Sequence, residues 1–383
     1  KRRSLTDEQQ AIVDASARLG RGDVLRCLAF AGAGKTTTLV ELAKCAENSS
    51  KRLLYLIFSR GAREDAAARF PSNVTALNFH KLAFAQVGYR YCKGYSDHNG
   101  IQEVRDTMIS KHFEFLDTFS LLGRAVQETI DRYCNSVDDE VSEKHLPPKI
   151  AALVKAAEGI DFGGKITRGD RMQYRVTKAR GGIVYSVQDV VSLAKRYWQA
   201  MKEKVVPMSH GGYFKLYAMQ RPNLSLKYDL ILLDEAQDCA PVASQLVLSQ
   251  NIPIILVGDT HQSIYSFLNA TNALSLERIH AIELKTLRLS RSFRFGREIA
   301  AIASYLIRRT KCEIEPVLGF DSIEDRVEFW RRGKWPSYYP LDLFVDTYRE
   351  EEADEEKVAG KGDVAWIFRT NAGVFNAAAD LVH

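Results

Sequence analysis

Apolar runs of four to seven residues recur along this chain, each closed by polar or turn-forming residues, with helical patterns between them. Val24–Phe30, Leu53–Phe58 (LLYLIF), Val74–Leu77, Tyr228–Leu233 (YDLILL) and Ile252–Val257 (IPIILV) are such runs. Short hydrophobic stretches of this kind predict strands buried on both faces. Leu5–Arg18 instead places Ala11, Ile12 and Ala15 at helical spacing behind Thr6 or Asp7 as N-cap. A helix is predicted to begin across Asn78–Gln86, another spans Arg297–Arg308, and a further strand covers Val364–Phe368. Strands alternating with helices predict an α/β fold around a parallel sheet.

From about Tyr91 to Asn223 the pattern turns helical and polar. It is broken at Pro147-Pro148, Gly163-Gly164, Gly181-Gly182 and Gly211-Gly212. This stretch reads as an inserted helical, basic domain over residues 91–223, splitting a first α/β domain into 1–90 and 224–283. Residues 284–383 read as the start of a second α/β unit. A length of 383 residues accommodates two or three domains with cores of their own. Arg349–Lys357 (REEEADEEK) is a charge run expected on a solvated loop or helix face.

Charge sharpens this division. The net charge is only +5, yet Val141–Leu230 holds 16 Lys/Arg against 7 Asp/Glu, which leaves the remainder slightly acidic. Tyr174, Tyr185, Tyr197, Trp198, Tyr213, Phe214 and Tyr217 lie among those charges. Basic residues interleaved with aromatics suit a nucleic-acid backbone and its bases, and equally suit a solvated helical surface over its own core. No apolar run approaches the ~20 residues that span a bilayer, and KRRSLTDEQQ has no apolar segment of a secretory signal. Six scattered cysteines without a C-x-x-C pair argue against a zinc site or a disulfide framework and fit a reducing compartment, the nucleus in a eukaryote or the cytoplasm in a bacterium.

The chemistry starts where the first strand ends. AFAGAGKTTT, residues 29–38, follows Val24–Phe30 and precedes a helical pattern. Ala31, Gly32, Ala33 and Gly34 form a loop whose N–H groups can face an anion; Lys35 can reach β- and γ-phosphates, and the Thr36 hydroxyl can hold Mg²⁺, with Thr37 in the same first turn. Ala29 stands where the G-x-x-x-x-G-K-[ST] pattern has its first Gly, so the strand end must not need a positive φ. The strand ending at Leu233 runs into Asp234-Glu235-Ala236-Gln237-Asp238. Asp234 is the candidate for the Mg²⁺ shell and Glu235 for the base that activates water. The next strand ends in VGDTHQSIYSF, where Gln262 offers an amide for the γ-phosphate or its water, and Tyr265 and Phe267 offer flat faces for unstacked bases. In SRSFRFG, Arg294 is placed to act as an arginine finger.

Taken in order, these motifs resemble the UvrD/PcrA/Rep branch of superfamily 1 helicases. LTDEQ (Leu5–Gln9) resembles the adenine-reading motif of that branch, AGAGKTTTL its Walker A loop and LDEAQD its Walker B motif. FSRGA (Phe58–Ala62) and NFHKLA (Asn78–Ala83) resemble motifs that contact single strands; VGDTHQSIYSF resembles the third motif, SFRF the fourth and IFRTNA (Ile367–Ala372) a further second-domain motif. The wording of HGGYFKLY (His210–Tyr217), DEAQDCAP (Asp234–Pro241) and SFRFGREIA (Ser292–Ala300) is most similar to the F-box DNA helicase group. The resemblance implies two RecA-like P-loop NTPase domains with ATP and Mg²⁺ between them. It implies that Gln9 reads adenine, Phe293 stacks on it, Arg294 touches the γ-phosphate, and Phe58, Phe79 and His80 belong to the DNA track. The implied partner is single-stranded DNA or a junction of single and double strands, with 3′→5′ movement in DNA repair or recombination and no membrane.

Three departures qualify it. Phe267-Leu268-Asn269-Ala270 replaces the usual W-R-G-A, which keeps a stacking ring and loses an Arg; Gly61 stands where the branch often has Lys; and no F-box is recognised. The chain stops at His383, soon after IFRTNA, so it reads as a piece of a longer motor or a naturally short one, expected to bind nucleotide but not to unwind alone. A nucleotide-dependent module that grips DNA or protein without unwinding stays open beside the helicase reading. A small-molecule kinase shares the P-loop but leaves DEAQD, QSIYSF and the basic insertion unaccounted for.

Overall fold

The structure is a computed structural model that describes residues 5–58, 60–92, 100–114, 121–150, 160–161, 184–262, 273–274, 283–329 and 343–347. Its centre is a six-stranded sheet: β1 (Val24–Ala29), β2 (Leu53–Ile57), β3 (Val74–Asn78), β4 (Leu230–Leu233), β5 (Ile254–Gly258) and β6 (Leu284–Leu289). The order across it is β3-β2-β4-β5-β1-β6, and every neighbouring pair is parallel. β2, β4 and β5 are buried at every position, as their unbroken apolar runs require. Successive side chains point to opposite faces, so Leu53, Tyr55 and Ile57 enter one core and Leu54 and Leu56 the other.

The main helices follow one another along the chain. They are α1 (Asp7–Ala17), α2 (Lys35–Lys44), α3 (Arg60–Ala67), α4 (Phe79–Ala83), α5 (Asp106–His112), α6 (Leu121–Asn135), α7 (Val187–Lys202), α8 (His210–Met219), α9 (Pro241–Leu248) and α10 (Arg297–Lys311). Thr6 caps α1 through a reciprocal capping box with Gln9, the signal visible in LTDEQ. Asn78 caps α4, which runs on into a π-helical turn at Phe84–Gly88. α1 and α2 cover one face of the sheet through Ile12, Val13, Leu39 and Leu42. None of the helices among the described residues is long and apolar enough to cross a membrane.

The opposite face shows two differences from the sequence reading. Among the described residues, the helices of the 91–223 stretch do not enclose a separate core. Ile130 and Tyr133 of α6, Val190 and Trp198 of α7 and Phe214 of α8 join Leu54, Leu56, Ile231 and Leu233 in one cluster. Tyr197, Trp198, Tyr213, Phe214 and Tyr217 are all buried there, so the choice left open for these aromatics falls to packing and not to base stacking. Their rings lie on the apolar stripe of α7 and on α8, which is buried on several sides, and burying them is what attaches the insertion to the sheet. Tyr174 and the side chain of Tyr185 lie outside the described residues, as do Arg349–Lys357.

The second difference is a boundary. Leu284–Leu289, assigned from sequence to the second unit, is β6 of the first sheet, paired with β1 from Val24↔Leu284 to Ala29↔Leu289. As an edge strand it is only partly buried, and so it lacks the apolar run that marks its neighbours. Beyond it come α10 and the antiparallel pair β7 (Asp325–Phe329) and β8 (Leu343–Thr347). The predicted strand Val364–Phe368 lies outside the described residues.

Candidate nucleotide site

β1 delivers the chain to the phosphate loop. Ala29, its last residue, is buried in ordinary strand conformation, so the missing first Gly has no conformational cost here. Gly32 (φ 72°) and Gly34 (φ 77°) take up the left-handed conformation that side-chain-bearing residues avoid. Both also lack space. A Cβ on Gly32 would lie 2.6 Å from Arg294 Cγ, and one on Gly34 2.8 Å from Gln9 Nε2 and 3.3 Å from the Phe293 ring. The three motifs expected to surround a nucleotide therefore converge on the loop. The Phe293 N–H donates to the Gly32 carbonyl at 2.9 Å, and Phe293 packs edge-on against Phe320 with centroids 5.2 Å apart. Glu8, beside Gln9, accepts from both the N–H (2.8 Å) and the hydroxyl (2.6 Å) of Ser290, which ties α1 to the segment carrying Phe293 and Arg294.

Gly34 is the N-cap of α2, so the free N–H groups of the first turn, with Lys35, Thr36 and Thr37, open onto the loop. Lys35 Nζ lies 3.1 Å from Glu235 Oε2. This one contact joins residues 200 positions apart and brings the two halves of the predicted site together. Arg69, just after α3, donates to the Thr37 hydroxyl at 2.8 Å, and no carboxylate pairs with it among the described residues.

Asp234 leaves the tip of β4 almost wholly buried, at 2% exposure. One carboxylate oxygen accepts the Tyr55 hydroxyl at 2.8 Å and the other the Glu235 N–H at 2.9 Å. Burial pushes its pKa up to about 6, with the neighbouring Glu235 charge adding to the rise and Lys35 and the Tyr55 hydrogen bond opposing it. A buried carboxylate of this kind, facing a lysine and the first turn of a helix, is suited to a divalent cation. Glu235 adopts a left-handed backbone (φ 51°), rare for a side-chain-bearing residue and often found at functional sites.

Because β5 lies between β1 and β4, its exit passes between the phosphate loop and the acidic pair. Asp259 there accepts from the His261 N–H at 2.9 Å and from the side-chain amide of Gln262. Gln262 is thus placed at the site's margin with its amide held by Asp259. Arg294 lies with its side-chain stem over Gly32, on the loop itself.

The predicted DNA-contacting residues separate. Phe58, at the exit of β2, is 40% exposed. Phe79 is buried at 3%, its ring set edge-on to Phe214 at 5.7 Å, so it holds α4 to α8 and offers no free face to a base. His80 is enclosed by the rings of His210, Tyr213 and Phe214, and burial pushes its pKa down to about 4, which keeps it neutral. Tyr265 and Phe267 lie outside the described residues.

Four residues of the site escaped the sequence reading. Tyr55 sits in LLYLIF and reads as core; Glu8 and Gln237 lie inside LTDEQ and LDEAQD but carry no assigned role of their own, and Arg69 lies outside every motif. Only the alternation of β2, which sends Tyr55 to the α2 face, carried any hint.

Comparison with known proteins identifies the family. The family profile described as the UvrD/REP helicase N-terminal domain matches residues 5–282. F-box DNA helicase 1 of Gallus gallus is 35% identical over 311 residues, covering 79% of this chain and 28% of that protein. F-box DNA helicase protein 1 of Schizosaccharomyces pombe is 29% identical over 322 residues, 80% of this chain and 33% of that protein. The mitochondrial ATP-dependent DNA helicase HMI1 of Saccharomyces cerevisiae is 32% identical over 164 residues, 39% of this chain and 23% of that protein. This chain spans a third or less of the length of these relatives. With the family profile covering most of the parallel-sheet domain, from the helix that bears Gln9 past the Asp234–Glu235 pair, the chain belongs to the UvrD/REP helicase family and contains its N-terminal domain.

Proposed function

We propose that this chain binds Mg-ATP between the Lys35 loop and the Asp234–Glu235 pair and is the nucleotide-binding part of a DNA-dependent ATPase and helicase. The observation that carries the reading is the 3.1 Å contact between Lys35 and Glu235, beside a buried Asp234. The contact supports a reading in which Lys35 is the phosphate-directed cation, Asp234 the cation-directed carboxylate and Glu235 the candidate base. In this reading Asp234 and Thr36 hold Mg²⁺, which when bound neutralises charge building on the phosphates. Lys35 and the N–H groups of the first turn of α2 bind the phosphates, Gln9 and Phe293 take the adenine, and Arg69 lines the phosphate rim. Glu235 accepts the proton of the attacking water, and Gln262 orients that water. Arg294, its stem on Gly32, is the finger that senses the γ-phosphate.

The DNA side of the proposal rests on the family and on Phe58. The named relatives are DNA helicases, and Phe58, an exposed aromatic residue, lies at the carboxyl end of the sheet, on the side where a single strand would pass in this reading. Movement 3′→5′ along single-stranded DNA and a role in repair or recombination are the finer parts of the proposal. The test is ATP turnover by the full-length protein with and without single-stranded DNA, together with displacement of a strand from duplexes bearing a 3′ or a 5′ tail. Stimulated turnover with displacement from the 3′-tailed duplex is expected. Nucleotide binding without DNA-stimulated turnover would instead assign the chain to a regulatory module.

A further inference from the structure

Glu235 does not hold its position by itself. Its left-handed backbone turns the chain directly into a 3₁₀ turn, Ala236–Asp238, and this brings the Gln237 side chain back against the Glu235 carboxylate. Gln237 is 2% exposed. Its Nε2 donates to Glu235 Oε2 at 2.8 Å, the oxygen that also takes Lys35 Nζ, and makes a longer 3.4 Å contact to Asp238 Oδ2. Its Oε1 accepts the Asp259 N–H, the first beyond β5, at 3.0 Å. Gly258 leaves the space this requires, because a Cβ there would overlap Gln237 Oε1. Asp259 in turn holds Gln262. A continuous hydrogen-bonded path therefore runs from Glu235 through Gln237 and Asp259 to Gln262.

From this path we infer that Gln237 is a positioning residue for hydrolysis, which aims the Glu235 carboxylate and ties its orientation to the Gly258–Gln262 segment. The inference rests on the nucleotide-site reading above. Phosphate oxygens compete with Glu235 for the three N–H donors of Lys35, so nucleotide binding weakens the hold of Lys35 on Oε2. Gln237 then remains as the donor that fixes that oxygen and leaves the other for water. It cannot swing free, since its own oxygen is tied to backbone. A neutral amide also orients the carboxylate without adding a charge that would weaken it as a base. A displacement at Asp259 moves the Gln237 amide and with it the base, and a misplacement of this kind by about 1 Å costs roughly 10²-fold in rate.

The test uses the full-length protein with Gln237→Ala, Gln237→Met (same length, no hydrogen bonds), Gly258→Ala and the Gly258→Ala/Gln237→Ala pair. DNA-stimulated kcat is expected to fall about 10- to 100-fold in each single variant, with KM for ATP and MgADP affinity within about 2-fold of the parent. Gly258→Ala perturbs the same link from the other side, so in the Gln237→Ala background it should cost less than about 2-fold more. Normal kcat in the Gln237 variants, or additive losses in the pair, would overturn the inference. So would loss of MgADP affinity in both Gln237 variants, which would make Gln237 a structural residue. Lys35→Ala separates the two levels. If that variant keeps MgADP affinity, the nucleotide-site reading itself has failed; if it loses it while Gln237→Ala turns over normally, only the role of Gln237 has failed.

Discussion

The Tyr55 hydroxyl donates to Asp234 Oδ2 at 2.8 Å, joining the middle of β2 to the tip of β4 at a buried carboxylate. This bond favours the ionised acid, whereas burial and the Glu235 charge oppose it, and the balance leaves the pKa at about 6 instead of the ordinary 3.8. A carboxylic acid harder to ionise in the folded chain than in the unfolded one makes the fold lose stability as pH rises from about 4 to about 6. Binding of Mg²⁺ with nucleotide has the opposite sign, since it needs the carboxylate. MgADP affinity should therefore weaken as pH falls through about 6, with about one proton released per nucleotide bound on the acid side. Tyr55→Phe removes the hydrogen bond and should move that acid limb up by about one pH unit. Calorimetric MgADP titrations at several pH values check both; an affinity flat in pH would show that Asp234 is not the cation's carboxylate.

Lys35→Ala should abolish MgADP binding. Lys35 is the side-chain cation that meets the acidic pair at the phosphate loop, and charge-assisted bonds to phosphate are the strong ones. The same change leaves Glu235 without its 3.1 Å partner, so it tests binding and not stability only if the melting temperature is recorded alongside the calorimetry. Unchanged affinity in a folded variant would remove the phosphate-binding role from this loop.

The parts of this site legible in the sequence were those written locally. The Thr6–Gln9 capping box, the glycines before Lys35 and the acids after an apolar run each occupy a few consecutive residues, and each lies where its pattern predicts. What stayed hidden depends on partners far apart in the chain. Tyr55 meets Asp234 across 179 residues and Glu8 meets Ser290 across 282. β6 was misassigned because an edge strand lacks the double-sided burial that makes a run conspicuous. Tyr213 and Phe214 suggested a nucleic-acid surface because basic residues flank them, yet charge along a helix says nothing of which way its rings face.

Glu235→Gln keeps the shape of the side chain and removes the proton acceptor. MgADP affinity should stay within a few-fold of the parent, while turnover by the full-length protein drops about 10²-fold or more, the scale of a lost general base. The amide also weakens the contact with Lys35, so a modest gain in nucleotide affinity is compatible with the assignment. Normal hydrolysis would move the base elsewhere.

Arg69 gives a prediction of smaller size. Its guanidinium reaches the Thr37 hydroxyl in the first turn of α2 from an exposed position, with no acid to neutralise it among the described residues. A phosphate there gains a charge-assisted bond that solvent screens. Arg69→Ala should weaken MgADP binding by about 3- to 10-fold, with Arg69→Lys in between because a point charge keeps attraction but loses the planar fork. Equal affinities in all three proteins would leave Arg69 as a surface bond to Thr37.

Phe58 is the most exposed of the described DNA candidates. It follows directly on a fully buried β2, so its backbone is fixed by the sheet while the residue as a whole is 40% exposed at the strand exit. A ring anchored in this way loses little freedom on stacking, and one stacked base is worth ~1–3 kcal/mol. Phe58→Ala should therefore weaken binding of single-stranded DNA by roughly 5- to 150-fold at fixed salt. The slope of affinity against salt should not change, because no phosphate contact is lost. Phe79→Ala behaves differently: its ring is core against Phe214, so the change should cost about 3–5 kcal/mol of stability. Fluorescence anisotropy with a labelled oligonucleotide across a salt series, beside thermal melts of both variants, separates the two. If Phe58→Ala binds as the parent does, the strand does not cross the exit of β2.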